Sequence, residues 1–444
     1  MTKTKLTKTN FLPISVLALS MLTGCGAKDG YEPLPEETRL NDYPIVLLHG
    51  GGGWGDKELF GFKYWGGFKG NLEKELEKYN HDTRTVLTGP FSSYWDRACE
   101  FYAFIKGTKV DYGQAHADKF GHTRFGTDYT GQGIYEEWGE LDSKGEKRKV
   151  HIIAHSFGGP AARTVVQLLE HGSPEEQSAG QPNLSPLFAG DDSPETRDLV
   201  KSVVTISAPH DGLSYIMDVG AGLPTFLLAF FYATDNIIPI DWIYDLKMVQ
   251  WGLHPENKET LADYYDRVEE LVNHDDFALK DVSIYGAKEL NSWVRTQPNV
   301  YHFSYATSAS QPEGDEGFHV PEKHIFTTRN GPMGAASTHM GSLTINEGPI
   351  IIDETWWPND GGVNVISQNG PKLINDGLIP DVIVNYDPDT MGPPEKGVWN
   401  YRGVLDHVDH FDVIGFDPVG ERSDEFELFD FYLELADELK RLPE

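Results

Sequence analysis

The sequence predicts an α/β fold, a mostly parallel central sheet flanked by helices, and three observations carry that expectation. Residues 149–160, K-V-H-I-I-A-H-S-F-G-G-P, bring a β-branched run against a serine set between small residues, and residues 161–170 then read as a helix. Residues 44–48, P-I-V-L-L, form an apolar run of the kind buried on both faces, and they enter a glycine-rich loop, H-G-G-G-G-W-G, at 49–55. Residues 426–442 place Leu428, Tyr432, Leu435, Leu439 and Leu442 near one helical face, as a helix covering a sheet requires. Further strands are expected at 84–88 and 199–207, and a helix at 68–79. A chain of 444 residues can bury one large core with insertions or two smaller ones, and no internal repeat is visible.

The first residues read as a processing signal rather than as part of the fold. Lys3, Lys5 and Lys8 precede an apolar run at 11–22, and L-T-G-C then ends at Cys25. The run is too short for a stable membrane span, and the small residues before Cys25 suit a peptidase that leaves a cysteine first for lipidation. The expected organisation is a lipoprotein signal peptide over 1–24, a tether over 25–41 and one domain over 42–444. Plain secretion with a coincidental cysteine is the alternative. If Cys25 is acylated, only Cys99 remains and no intrachain disulfide can form. The formal net charge of −32 becomes more negative once the lysines of the signal are lost, and it excludes nucleic acid as an expected partner. No second apolar span follows. The expected state is a monomer outside the cytoplasm.

Within the domain, Gly50, Gly52 and Gly55 satisfy G-x-G-x-x-G after a strand, so a dinucleotide site has to be weighed. A dinucleotide turn enters a helix at once, whereas residues 54–67 are aromatic and glycine-rich. The other use of such a loop is an oxyanion loop, whose amides approach a substrate because no Cβ intervenes. Gly51 is then one donor and the Phe157 amide the second. Ser156 fits a nucleophile elbow of the α/β-hydrolase kind, with Ala154 in place of the first glycine; an ordinary helix N-cap serine is the competing reading.

Residues 213–242 are strongly apolar at roughly helical spacing, which suits either a core helix or a lid over a lipid-binding cleft. A serine nucleophile needs a base, and the base needs a carboxylate to hold its tautomer. The order serine, acid, histidine admits Asp360 in P-N-D-G-G-V-N, and either His407 or His410 in L-D-H-V-D-H-F-D. Order alone does not choose between the two histidines.

These stretches together resemble the bacterial true lipases of family I.5, the thermostable bacillus and staphylococcal type within the α/β-hydrolase superfamily. The resemblance runs from about Asn41 to the C-terminus. It rests on P-I-V-L-L-H-G, F-K-Y-W-G-G, W-D-R-A-C-E, V-D-Y-G-Q-A-H, H-I-I-A-H-S, A-P-H-D-G, D-L-K-M-V-Q-W-G-L, N-D-G-G-V-N and V-D-H-F-D-V-I-G-F-D-P, in that order. It implies an α/β-hydrolase fold with a zinc-bearing insertion, about 91–135 with 265–285, and a helical lid over about 213–242. It also implies Ser156 as nucleophile, Asp360 as acid and His410 as general base, in a carboxylic ester hydrolase acting on acylglycerols.

The same resemblance implies a structural zinc held by Asp96, His116, His122 and Asp276. It implies a calcium held by Asp412, Asp417 and the carbonyl of Pro418, with a further carbonyl near His324. Asp412 stands where the family has a glutamate, and the alignment between 308 and 337 is loose. Gly51 and Phe157 also depart from the family, which has an aromatic residue and a glutamine there. Main-chain amides carry the oxyanion, so these changes reshape the acyl pocket rather than the chemistry, and a wider site for bulky or polymeric esters follows. Two readings from other classes stand beside this one: a surface lipoprotein using the scaffold as a binding module, and a nicotinamide-dependent oxidoreductase resting on the glycine pattern alone.

Overall fold

The computed structural model describes residues 31, 35, 38–55, 58–190, 196–217, 244–253, 267, 271, 274–322, 332–416 and 426–443. Its strands in chain order are β1 (Ile45–Leu48), β2 (Thr83–Val86), β3 (Lys109–Asp111), β4 (Phe125–Asp128), β5 (Val150–His155) and β6 (Val200–Ile206). They continue with β7 (Tyr301–Ser308), β8 (Ser310–Glu313), β9 (Phe318–Pro321), β10 (Ile383–Asn385) and β11 (Trp399–Asp406). Seven of them form one sheet in the order β10-β11-β7-β6-β5-β1-β2. Every neighbouring pair in that sheet is parallel. The architecture is that of an α/β-hydrolase.

Strands β1, β5 and β6 are buried along their whole length because helices cover both faces of a parallel sheet; β1 is wholly apolar, whereas β5 and β6 also bury His151, His155, Lys201, Ser202 and Thr205. The helix Gly158–His171 crosses back over the sheet from the end of β5, starting three residues earlier than its sequence pattern suggested, with Pro160 in its first turn. The C-terminal helix Leu428–Lys440 buries Leu428, Phe429, Tyr432, Leu433, Leu435, Ala436 and Leu439. Tyr432 Oη donates to the Val413 carbonyl at 2.8 Å, which ties this helix to the loop after β11.

The order of the sheet positions the site. From β1 the chain goes outward to β2, then returns on the other side of β1 to form β5. The ends of β1 and β5 therefore face one crevice at a topological switch point, where ligands of open α/β sheets bind. Between β2 and β5 an insertion contributes the helix Tyr94–Lys106, the antiparallel pair β3 and β4, and the short helix Gln114–Phe120. A second antiparallel pair, β8 and β9, follows β7.

The helix expected over 68–79 is shorter, Leu72–Lys78, because Gly70 adopts φ 142° and Asn71 caps the start, accepting from the Lys74 amide at 3.2 Å. Asn41, at the end of the expected tether, is buried and donates to the carbonyls of Leu439 and Leu442 at 2.9 and 3.1 Å. The expected signal peptide and Cys25 lie outside the described residues, as does the expected lid from residue 218 onward. Among the described residues no helix is long and apolar enough to cross a membrane.

Candidate active site

Ser156 sits where β5 ends and the helix Gly158–His171 begins, with a φ of 53° that non-glycine residues seldom adopt. The two residues that open this helix must be glycines. A Cβ on Gly158 would lie 2.7 Å from the carbonyl oxygens of Leu48 and His49, and one on Gly159 would lie 2.5 Å from Ala208 Cβ. The helix is thus drawn tightly onto the ends of β1 and β6, and the serine projects from the corner. No side-chain hydrogen bond caps this helix. The Ser156 hydroxyl instead meets His410 Nε2 at 2.9 Å, so the N-cap reading fails.

His410 Nδ1 lies 2.9 Å from Asp360 Oδ2. A carboxylate oxygen only accepts, so the proton is on Nδ1, and Nε2 turns a lone pair toward the Ser156 hydroxyl. Asp360 is fully buried and held by donors at both ends. Oδ1 accepts from the amides of Gly362 and Val363 at 2.8 and 2.6 Å. Oδ2 accepts from Thr307 Oγ1 at 2.7 Å and Gln368 Nε2 at 3.3 Å. Its carbonyl accepts from the His410 amide at 3.0 Å, so acid and base are also joined through the main chain. His407, the other candidate by order, is more than half exposed and pairs with Glu322 at 2.8 Å, away from the serine.

The loop after β1 closes the other side. A buried Arg97 donates to the carbonyls of His49 and Gly50, the latter at 3.3 Å, and His49 Nδ1 adds a bond to Gly50 O at 2.9 Å. Carbonyl and amide point in opposite directions in a trans peptide, so holding Gly50 C=O from behind turns the Gly51 N–H forward. Burial, and then the charge of Arg97, push His49 down to about 3, which keeps it neutral in this role. A Cβ on Gly51 would lie 3.7 Å from Phe157 Cβ, so the two residues expected to supply the oxyanion donors are spatial neighbours. Phe157 is buried against Tyr94, ring centroids 4.3 Å apart, with the Arg97 guanidinium 5.2 Å from its centroid. The loop runs on into short 3₁₀ turns rather than a helix, which removes the structural basis for a dinucleotide site.

Asp96, His116, His122 and Asp276 come together with one ligand atom from each within 4.8 Å of the others. Asp96 stands in the first turn of Tyr94–Lys106, His116 in the first turn of Gln114–Phe120, and His122 just beyond the end of that helix. Outer partners aim them inward. Gln250 donates to Asp96 Oδ2 at 2.8 Å, leaving Oδ1 for the cluster, and His122 Nδ1 bonds the Thr123 carbonyl at 2.9 Å, which bares Nε2. His122 Nε2 lies 3.2 Å from Asp276 Oδ2 but off the line of a hydrogen bond, and Asp96 Oδ1 is likewise unsatisfied. Burial and the nearby Asp276 push the Asp96 carboxyl up; His116, though buried, rises to about 9 because the Asp276 and Asp96 carboxylates lie 3.2 and 3.3 Å from its Nε2. Two buried carboxylates, two imidazoles and orphaned ligand atoms fit a divalent cation. Of the expected calcium ligands, Asp412 is buried and accepts from the Asp409 amide at 2.9 Å, while Asp417, Pro418 and the neighbourhood of His324 lie outside the described residues.

Comparison with known proteins bears on the family rather than on individual site residues. A family model described as "Lipase-like, C-terminal domain" matches residues 41–444. The lipase of Staphylococcus hyicus is 30% identical over 417 residues, covering 92% of this chain and 59% of that protein. Lipase 2 of Staphylococcus aureus is 31% identical over 414 residues, covering 91% and 54%. The chain thus spans little more than half the length of these curated relatives. Among solved structures, lipase 1 from Pelosinus fermentans is 40% identical with TM-score 0.77, covering 91% of this chain and all of that one. EstA from Clostridium botulinum is 37% identical with TM-score 0.79, covering 98% and 99%.

Proposed function

The chain belongs to the lipase-like family whose model it matches from residue 41 to its end, and on that premise we propose that it is a serine carboxylic ester hydrolase working through an acyl-enzyme. The observation that supports this reading above all is the unbroken line from Ser156 Oγ to His410 Nε2 and from His410 Nδ1 to Asp360 Oδ2, each step 2.9 Å. Ser156 Oγ attacks the ester carbonyl as its proton passes to His410 Nε2, and the carbonyl π electrons move onto oxygen. The Gly51 and Phe157 amides face that oxyanion. Collapse expels the alcohol, which takes the proton from His410, and water repeats the sequence to release the acid and free Ser156. Asp360 holds the tautomer and stabilises the imidazolium without taking the proton.

The substrates are acylglycerols and other carboxylic esters, with bulky or polymeric esters admitted by the space at Gly51. Zinc is the cation for Asp96, His116, His122 and Asp276, since four protein ligands of two oxygens and two nitrogens suit a closed tetrahedral site. Such a site supplies structural stability rather than a reacting water. A calcium at Asp412, Asp417 and Pro418, a lid over residues 213–242 and a lipid anchor at Cys25 complete the proposal, which places the enzyme outside the cytoplasm on a membrane surface. Turnover of p-nitrophenyl esters and of emulsified triglyceride by the full chain tests it. Both should disappear in Ser156→Ala with the fold retained, and turnover surviving that substitution would overturn the assignment.

A further inference from the structure

His155, the residue before the nucleophile, is fully buried at the end of β5 and forms no part of the serine, histidine and aspartate line. Its Nε2 lies 2.9 Å from the main-chain carbonyl of His410. Its Nδ1 lies 2.6 Å from the Tyr64 hydroxyl, and that hydroxyl oxygen accepts from the Gly50 amide at 2.9 Å. The two ends fix every direction between them. An amide can only donate and a carbonyl can only accept. The Tyr64 oxygen therefore takes the Gly50 proton and sends its own to His155 Nδ1, and His155 carries its proton on Nε2 toward His410. Burial and the neighbouring His410 hold His155 far below its usual titration range, so this tautomer persists through the working pH range.

Each end of this chain meets a part of the machinery that must not drift. Gly50 precedes the Gly51 donor, and its carbonyl is already held by Arg97 and His49. Tyr64 takes the amide on the other side, leaving Gly50 clamped through both polar groups. There is no slack between: a Cβ on Gly50 would lie 2.8 Å from Ser156 Cβ and 2.9 Å from the Tyr64 oxygen. His410 is tied at its amide to Asp360 and at its carbonyl to His155. The geometry points to Tyr64 and His155 as positioning residues that lock the oxyanion loop and the general base to the nucleophile's own strand through one directional hydrogen-bond chain. This rests on the acyl-enzyme reading above and assigns work to two residues outside it.

The test compares the full chain with Tyr64→Phe, His155→Gln and His155→Leu, using p-nitrophenyl butyrate turnover and inhibition by butylboronic acid, whose tetrahedral adduct on Ser156 occupies the donor pair. Tyr64→Phe strands a buried donor and a buried acceptor, so kcat should fall about ten- to a hundredfold with KM unchanged within about twofold. The boronate inhibition constant should rise by the same factor as kcat falls, because both read the same placement of donors and base. His155→Gln offers an acceptor and a donor on one side chain and should retain at least about ten times the kcat of His155→Leu, which fills similar volume with neither. Melting temperature and bound metal, measured alongside, report folding separately.

A rise in KM at constant kcat, an unchanged boronate constant, or equal losses in the Gln and Leu variants would overturn the relay. Should Tyr64→Phe not fold, the two His155 variants decide alone. Wild-type protein that neither hydrolyses the ester nor binds the boronate would instead sink the acyl-enzyme reading.

Discussion

Replacing Asp360 by asparagine keeps shape and volume while changing one oxygen into an amino group, and the surroundings decide which one. The Oδ1 position is faced by the Gly362 and Val363 amides, fixed backbone donors of the turn that cannot become acceptors. The amide oxygen must stay there, which turns the NH2 toward His410 Nδ1, 2.9 Å away. Two donors then meet, and His410 relieves the conflict by moving its proton from Nδ1 to Nε2. The base now presents a hydrogen to Ser156 Oγ in place of a lone pair. Losing the correct tautomer in this arrangement costs about ten-thousandfold in kcat, ~5 kcal/mol of barrier at 1.36 kcal/mol per decade. Thr307 can rotate to accept from the new amino group, but Gln368 Nε2 would face it donor to donor, so stability should fall by only about 1–3 kcal/mol. Burst and steady-state kinetics on p-nitrophenyl esters, with denaturant unfolding of the same preparation, measure both quantities. A kcat loss under about tenfold, or a loss explained by unfolding, would refute the reasoning.

Three further outcomes follow from other parts of the structure. Chelation should remove about one equivalent of zinc per chain and lower the unfolding temperature, since a ligand at a thousand times its Kd stabilises the native state by about 4 kcal/mol; inactivation at unchanged stability would contradict a structural site. Gly51→Phe should shift relative rates away from bulky or polymeric esters and toward short linear ones, because its Cβ is tolerated 3.7 Å from Phe157 Cβ while its ring takes the open space; an unchanged preference among tributyrin, a long-chain triglyceride and an aliphatic–aromatic polyester would refute this. His151 is buried between Ser202 and Asn41 and is pushed down to about 3 by burial and then by Lys201 and Lys440. Its folded pKa lies below its unfolded one, so the stability it contributes is complete above pH ~6.5 and lost on acidification. His151→Gln should therefore gain about 2.3 kcal/mol on the wild type between pH 6.5 and 4.5, read from denaturant midpoints, and a pH-independent difference would show that His151 titrates normally.

The half of the sheet that holds the nucleophile was legible because β1 is wholly apolar and β5 and β6 carry Ile152-Ile153 and Val203-Val204 at their centres. The other half was not. β7 reads Y-H-F-S-Y-A-T-S, yet it is buried nearly throughout. Its polar side chains are satisfied by partners far away in sequence: Ser304 donates to the Asn369 carbonyl at 2.7 Å, and Thr307 donates to Asp360. In β11, Asn400 is likewise buried and donates to the His302 carbonyl at 3.1 Å. Periodicity sees only polarity, whereas burial here depends on tertiary hydrogen bonds.

The same limit applies at the site. Ser156 stood out because a strand-to-helix corner among small residues is a local feature, but His407 and His410 differ only in where the loop turns them. Arg97, Tyr64 and His155 lay within motifs whose letters were noticed and whose roles were not. Each acts on a main-chain group that sequence does not display. The arginine carried the one usable signal, since a guanidinium in an otherwise core-forming helix needs buried carbonyls to hold it.

The proposed chemistry has Ser156 made nucleophilic by His410 in front of two backbone donors. A fluorophosphonate probe followed by peptide mass spectrometry tests this most directly. One adduct per chain is expected on Ser156, with much slower labelling in His410→Ala and none in Ser156→Ala. Labelling at a different residue, or equally fast labelling of Ser156 without His410, would contradict it.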